Sequence, residues 1–279
     1  MTAIPTLRLN NGTIIPAVGF GTYKLNGREG VKDIVRAIHN GYHFLDSAFN
    51  YENEGAVGEA IRQSGLSRDK IQVTSKLPGR HHQYDQALVT IEESLYRAQL
   101  DYYDFYLVHW PNPITGKYVE AWQALIEARK RGMVKAIGVC NFLPEHLDTI
   151  IKETGVTPCL NQVELHPYFA QETQRAYNKK LGIVTQSWSP LGRANHILQE
   201  HVLLEISERY KKSIAQVILR WHTQLGAMPI PKATSDARQK ENLAIFDFEL
   251  TQADMDKIKT LSKPDGRTKD QDPSRYEEF

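Results

Sequence analysis

The chain has 279 residues, 41% hydrophobic and 24% charged, with a formal net charge of +1. That is enough apolar material for a large core, and too little net charge to collect nucleic acid or an anionic membrane. Two cysteines, Cys140 and Cys159, are too few for a disulfide scaffold and suit a reducing compartment.

The Met1-Thr2-Ala3-Ile4-Pro5 start has no basic segment leading into an apolar one, and no apolar run approaches the roughly 20 residues of a membrane span. A cytoplasmic protein is expected, with a monomer as the default state. The first segment reads as a hairpin: Leu7-Arg8-Leu9 and Ile14-Ile15 flank Asn11-Gly12, a pair that favours a tight primed turn. From Val18 onward, strand-like and helix-like stretches alternate. Strands at 18–20, 43–46, 71–76 and 103–109 lead into helical patterns at 31–39, 53–63, 84–99 and 117–131. Strands at 136–140, 160–164, 183–187 and 228–230 lead into 144–152, 171–181, the pair 202–210 and 214–225, and 236–244. Ser213 with Gln216, and Thr251 with Asp254, have the spacing of capping boxes.

Eight strand–helix units without a composition break predict an α/β chain of one domain, 1–279. The expected fold is a closed (β/α)8 TIM barrel of parallel strands, with an N-terminal β-hairpin and a polar C-terminal tail from Lys263. An open doubly wound sheet competes with it. Gly19-Phe20-Gly21 begins a dinucleotide fingerprint, but Lys24 stands where the third glycine belongs.

Three apolar runs end on residues that a strand interior would not choose. They are His43-Phe44-Leu45-Asp46, Ile71-Gln72-Val73-Thr74-Ser75-Lys76, and Tyr103-Asp104-Phe105-Tyr106-Leu107-Val108-His109. Asp46, Lys76, His109 and Cys140 lie 30, 33 and 31 residues apart, one βα unit each. They therefore share the C-terminal rim, where such barrels carry their active sites. Tyr51 follows Asp46 by five residues. Singly, an aspartate after a strand is a turn residue and a lone histidine is satisfied packing. A lysine ending an apolar run, however, has to be paired. Together they form a proton donor. An ammonium about 4 Å from a phenol contributes on the order of 1–4 kcal/mol, enough to lower its pKa of about 10 by roughly one to three units. Asp46 keeps Lys76 charged, and His109 directs a substrate oxygen. This suits protonation of the oxygen of a carbonyl that receives a hydride. The competing chemistry, an aldolase with Lys76 as Schiff-base nucleophile, needs a neutral lysine, which Asp46 disfavours. Tyr23, Phe49 and Trp110 are the expected substrate-pocket aromatics for a small-molecule carbonyl compound. His81-His82 has no carboxylate or cysteine at ligand spacing, so no metal is expected.

Phe44-Leu45-Asp46-Ser47-Ala48-Phe49-Asn50-Tyr51-Glu52-Asn53-Glu54, Gly138-Val139-Cys140-Asn141-Phe142, and Ile230-Pro231-Lys232-Ala233-Thr234 with Arg238 and Glu241-Asn242 resemble the signatures of the aldo-keto reductase family. The likeness runs from Gly19 to about Leu261. Within the family it is most similar to the short bacterial branch that includes 2,5-diketo-D-gluconate reductases. The resemblance implies an NADP-dependent oxidoreductase that reduces aldehydes or ketones to alcohols. It makes Tyr51 the general acid, Lys76 and Asp46 its tuning pair, and His109 the orienting residue. It implies that Asn141 and Gln162 hold the nicotinamide carboxamide and that Trp188 stacks on the ring, with Gly21, Thr22, Ser189 and Leu191 as further cofactor contacts. Lys232, Thr234 and Arg238 match the 2′-phosphate site, and Glu241 and Asn242 the adenine amine. Ala233 stands where relatives commonly carry a serine, so NADPH is expected as the preferred cofactor, with weaker but detectable use of NADH.

Overall fold

The computed structural model describes residues 3–194 and 196–279. It opens with an antiparallel hairpin of β1 (Thr6–Arg8) and β2 (Ile14–Pro16), paired Leu7 to Ile15. Its turn differs from the primed two-residue form. The ladder continues through the bond from Leu9 N to Thr13 O, and only Gly12 of the turn has positive φ, at 85°. This is the three-residue form that ends on a glycine. Asn10 is part of the turn, and Asn11 does not adopt the left-handed conformation that an Asn-Gly primed turn requires. The hairpin closes one end of the barrel. Leu9 and Ile15 pack with Phe44, Phe105, Leu107, Cys140, Leu160 and Met228 in the interior cluster.

Eight parallel strands follow: β3 (Phe20–Gly21), β4 (Phe44–Asp46), β5 (Gln72–Leu77), β6 (Tyr103–Val108), β7 (Val134–Cys140), β8 (Leu160–Glu164), β9 (Val184–Trp188) and β10 (Met228–Pro229). Each pairs with its neighbour in chain order. Gly19 N and Gly21 N then donate to Pro229 O and Pro231 O at 3.0 and 3.1 Å, joining the first strand to the last. The expected barrel is therefore present, and the open-sheet alternative falls. The strands read as nearly continuous apolar runs because both faces are covered, by side chains inside and by helices outside.

The helices are α1 (Gly27–His39), α2 (Glu54–Gln63), α3 (Tyr84–Ala98), α4 (Tyr118–Lys130), α5 (Pro144–Thr154), α6 (Glu172–Lys180), α7 (His201–Tyr210), α8 (Ile214–Gln224), α9 (Asp236–Leu243) and α10 (Gln252–Lys259). In α1 the buried set Val31, Ile34, Ala37 and Ile38 marks the single face turned to the sheet. Ser213 and Thr251 open α8 and α10 with reciprocal capping boxes, as their spacing predicts. Among the described residues, no helix is long and apolar enough to cross a membrane.

Gly58 shows how tightly the outer layer is packed. A Cβ at this position of α2 would lie 1.8 Å from the carbonyl oxygen of Ala98, where α3 ends. Helix propensity alone makes alanine better than glycine by about 1 kcal/mol. Here the obstacle is backbone, which cannot rotate away. Gly58→Ala is expected to destabilise the protein by roughly 1–3 kcal/mol, read as a lower denaturant midpoint at unchanged slope.

Candidate active site

The register of the strands delivers the rim residues together. Gly21 lies opposite Asp46, and Cys140 opposite Gln162. The two-residue alternation of β5 sends Ser75 to the outer network around Glu54 and Lys76 to the inside. Lys76 Nζ donates to Asp46 Oδ2 at 2.7 Å and to Ser47 O at 2.6 Å, and both ionic side chains are essentially inaccessible to solvent. Asp46 Oδ1 accepts from Gln162 Nε2 at 2.7 Å, so both carboxylate oxygens are engaged. Burial alone would drive the Lys76 amine toward neutrality, but Asp46, together with Tyr51 and Cys140, outweighs it and raises the pKa above the ordinary lysine value.

Tyr51 sits on a short helical turn after β4, with Lys76 Nζ 4.9 Å from its ring centre. Its ring meets Tyr23 edge-on at 4.9 Å and His109 at 5.9 Å. The phenol differs from the sequence expectation. Burial raises its pKa above the ordinary tyrosine value. Lys76 pulls it back, while Asp46 and Cys140 add to the rise. The neighbouring cation alone would lower the pKa, but the half-buried Tyr51 is packed among side chains that shield its hydroxyl from water, and desolvation outweighs the cation. Tyr51 is thus held as a phenol, with a proton to give, beside a permanent ammonium.

These groups open onto a cavity of about 610 Å³. Asp46, Tyr51 and His109 line it together with Gly21, Asn141, Gln162, Trp188, Ser189, Leu191 and Lys232. The Trp188 indole is fixed by the bond from its Nε1 to Asn141 Oδ1 at 2.8 Å, and Asn141 Nδ2 donates to His109 O at 3.1 Å. Tyr23 and Trp110 also line the cavity. Phe49 does not: its ring lies under the Arg97 guanidinium at 3.9 Å and beside His81. Thr22 is buried in the wall, its hydroxyl donating to Asp46 O and accepting from Asn53. Thr234, Arg238, Glu241 and Asn242 do not line the cavity. Thr234 O is bound by Arg36, and Asn242 is buried.

Several cavity residues escape sequence reasoning. Lys24, Arg193 and Lys269 join Lys232 in the lining, and none of the four has a carboxylate within 4.0 Å among the described residues. Such a set of unmatched cations is chemically suited to a phosphorylated ligand. The tail contributes Gln271, Tyr276 and Glu278, with the Tyr276 ring 4.5 Å from that of Trp110. The family resemblance implies a tail draped over the pocket mouth, whereas tail composition carries no hint of these individual contacts, which are made to residues far away in the chain.

Comparison with known proteins agrees with this geometry. Residues 17–263 match the Aldo/keto reductase family. The chain is 49% identical to 2,5-diketo-D-gluconic acid reductase B of Corynebacterium sp. over 279 residues, covering both chains fully. It is 44% identical to glyoxal reductase of Bacillus subtilis, over 92% of this chain and 93% of that one. Among solved structures, a mutant of Gox0644 in complex with NADPH superposes with a TM-score of 0.92 at 38% identity, covering 97% of this chain and 98% of the other. A rim of Asp, Tyr, Lys and His on a barrel of this order and likeness across the full chain lead to one conclusion: the protein belongs to the aldo/keto reductase family.

Proposed function

We propose that the protein reduces aldehydes or ketones to alcohols with NADPH, Tyr51 giving the proton. The observation that carries this reading is the buried Lys76–Asp46 pair set against the Tyr51 phenol at the floor of an open cavity. The nucleotide supplies a hydride when bound. Trp188 presents its ring, while Asn141, Gln162 and Ser189 offer polar groups beside it. Lys232 and the neighbouring cations match the phosphates. Arg238 and Thr234 are assigned to the 2′-phosphate, and Glu241 and Asn242 to the adenine. His109 directs the carbonyl oxygen toward Tyr51. The Tyr51 O–H bond breaks as that oxygen becomes an alcohol, and Lys76 stabilises the phenolate left behind. The same pair argues against a Schiff-base lysine, because Asp46 keeps Lys76 charged. The names of the two reductase relatives and the NADPH complex support the reading.

Cofactor choice gives a direct check. Ala233 is buried, with its carbonyl held by Gln239, and it has no hydroxyl for a 2′-phosphate. One charged hydrogen bond contributes about 1.5–3 kcal/mol, or roughly 10- to 150-fold in affinity. The kcat/KM ratio of NADPH to NADH is expected to stay below about a thousandfold, and Ala233→Ser to raise it. Reductive turnover itself is tested by nucleotide consumption with methylglyoxal, aromatic aldehydes, diketones and keto-sugars.

A further inference from the structure

The tail brings into the cavity a carboxylate that the reaction described above does not use. Glu278 Oε1 lies 2.7 Å from His109 Nδ1 and accepts from Asn50 Nδ2 at 2.8 Å. Its Oε2 accepts from Gly79 N at 2.9 Å. The backbone is gripped as well: Asn112 Nδ2 donates to Glu278 O at 2.9 Å, and Glu278 N donates to Asn112 Oδ1 at 3.1 Å. Gly79 leaves room for that grip, since a Cβ there would lie 2.3 Å from Asn112 Nδ2. Asn50 is the neighbour of Tyr51, and its Oδ1 accepts from Arg80 at 2.5 Å. One carboxylate therefore ties His109 to the segment that carries the phenol.

Burial would push the Glu278 carboxyl up, but His109 and the surrounding donors hold it below the usual carboxylate range, so it is an anion. The nearby His82 is no competing cation, because burial lowers its pKa to about 4. The His109 contact lies off the line of the ring N–H and so acts mainly through charge. The anion against Nδ1 fixes which edge of the ring faces the tail. Nδ1 is itself buried, which leaves Nε2 as the ring atom free for a substrate oxygen.

Building on the reductase reading, we infer that Glu278 is a positioning residue: it fixes the orientation of His109 from the tail. The test uses Glu278→Gln and Glu278→Ala, with Glu277→Gln as control. Glu277 anchors the same tail to Thr115 and the backbone of Ile114, without touching His109. With a small aldehyde such as propanal, both Glu278 variants are expected to lose about 10- to 100-fold in kcat, the size of loss seen when metal-bound imidazoles lose the carboxylate that orients them. KM and NADPH affinity are expected to change little. Added formate should restore part of the kcat of Glu278→Ala, and Glu277→Gln should stay within about threefold of wild type. Unchanged kcat in Glu278→Gln, an equal loss in Glu277→Gln, or no formate recovery would each overturn the inference. Glu278→Gln keeps the shape of the side chain, and nucleotide affinity reports whether each variant is folded. If wild-type protein fails to reduce any carbonyl compound, the reductase reading falls. If wild type turns over and Glu278→Gln matches it, only the role of Glu278 does.

Discussion

Tyr51→Phe is expected to lower kcat by about 10²- to 10⁴-fold while leaving folding and nucleotide affinity nearly intact. The substitution removes one oxygen from a ring that keeps its edge contacts with Tyr23 and His109. Packing is thus preserved and only the proton donor is lost. The raised phenol pKa makes the effect large. A free phenol near pKa 10 is already a weak acid in neutral water, and burial makes its proton harder still to lose before the reaction begins. The ammonium beside it becomes effective as negative charge develops on the phenol oxygen, because a fixed cation in a dry site stabilises new charge without reorganising. Lys76→Met should therefore approach the loss seen for Tyr51→Phe, and the two losses should not add. Single-turnover rates with NADPH and an aldehyde check this. A Tyr51→Phe protein within tenfold of wild type would exclude the phenol as donor.

Asp46→Asn is expected to show the largest stability effect, about 3–5 kcal/mol, because it strands a buried charge. The amide keeps the shape of the carboxylate but leaves the Lys76 ammonium facing a neutral partner in a site where both side chains are essentially inaccessible. It also disturbs the bond from Gln162 that holds the other oxygen. For a chain of this size the melting temperature should fall by roughly 6–20 °C. Removing both charges, as Asp46→Asn with Lys76→Met, should recover part of that loss, since an uncharged pair has nothing to desolvate. Activity should not return with stability, because the phenol then lacks its cation. A double variant less stable than Asp46→Asn alone would show that packing, rather than the ion pair, sets the cost.

The barrel is legible in the sequence because its signal is local and repeated. Each strand is an apolar run that stops abruptly, and the interval from Asp46 to Lys76 to His109 matches one βα unit. Lys76 is the most informative residue, since an ammonium at the end of such a run demands a partner, and it is paired with Asp46. Pairings between distant parts of the chain are hidden. Nothing near Glu278 in sequence marks it as the neighbour of His109. Phe49 reads as a pocket residue because it precedes Tyr51 closely, but the short helical turn between them rotates its ring toward Arg97. Asn-Gly suggests the wrong hairpin turn because Asn10, one residue earlier, also belongs to the loop. The direction of the Tyr51 shift depends on the depth of burial, a quantity no spacing encodes.

The join between Gly19-Phe20-Gly21 and the segment after β10 works like a fastener with hooks on one side only. Pro229 and Pro231 can accept from the glycine amides but have no N–H to return, while Ile230 N is already committed to Ser187 O on the other flank. The cylinder should therefore unzip here first, and the amides of residues 19 and 21 should exchange with deuterium sooner than those of β5 or β6. This line runs beside Lys232, so a ligand that spans it would act as a staple and slow that exchange.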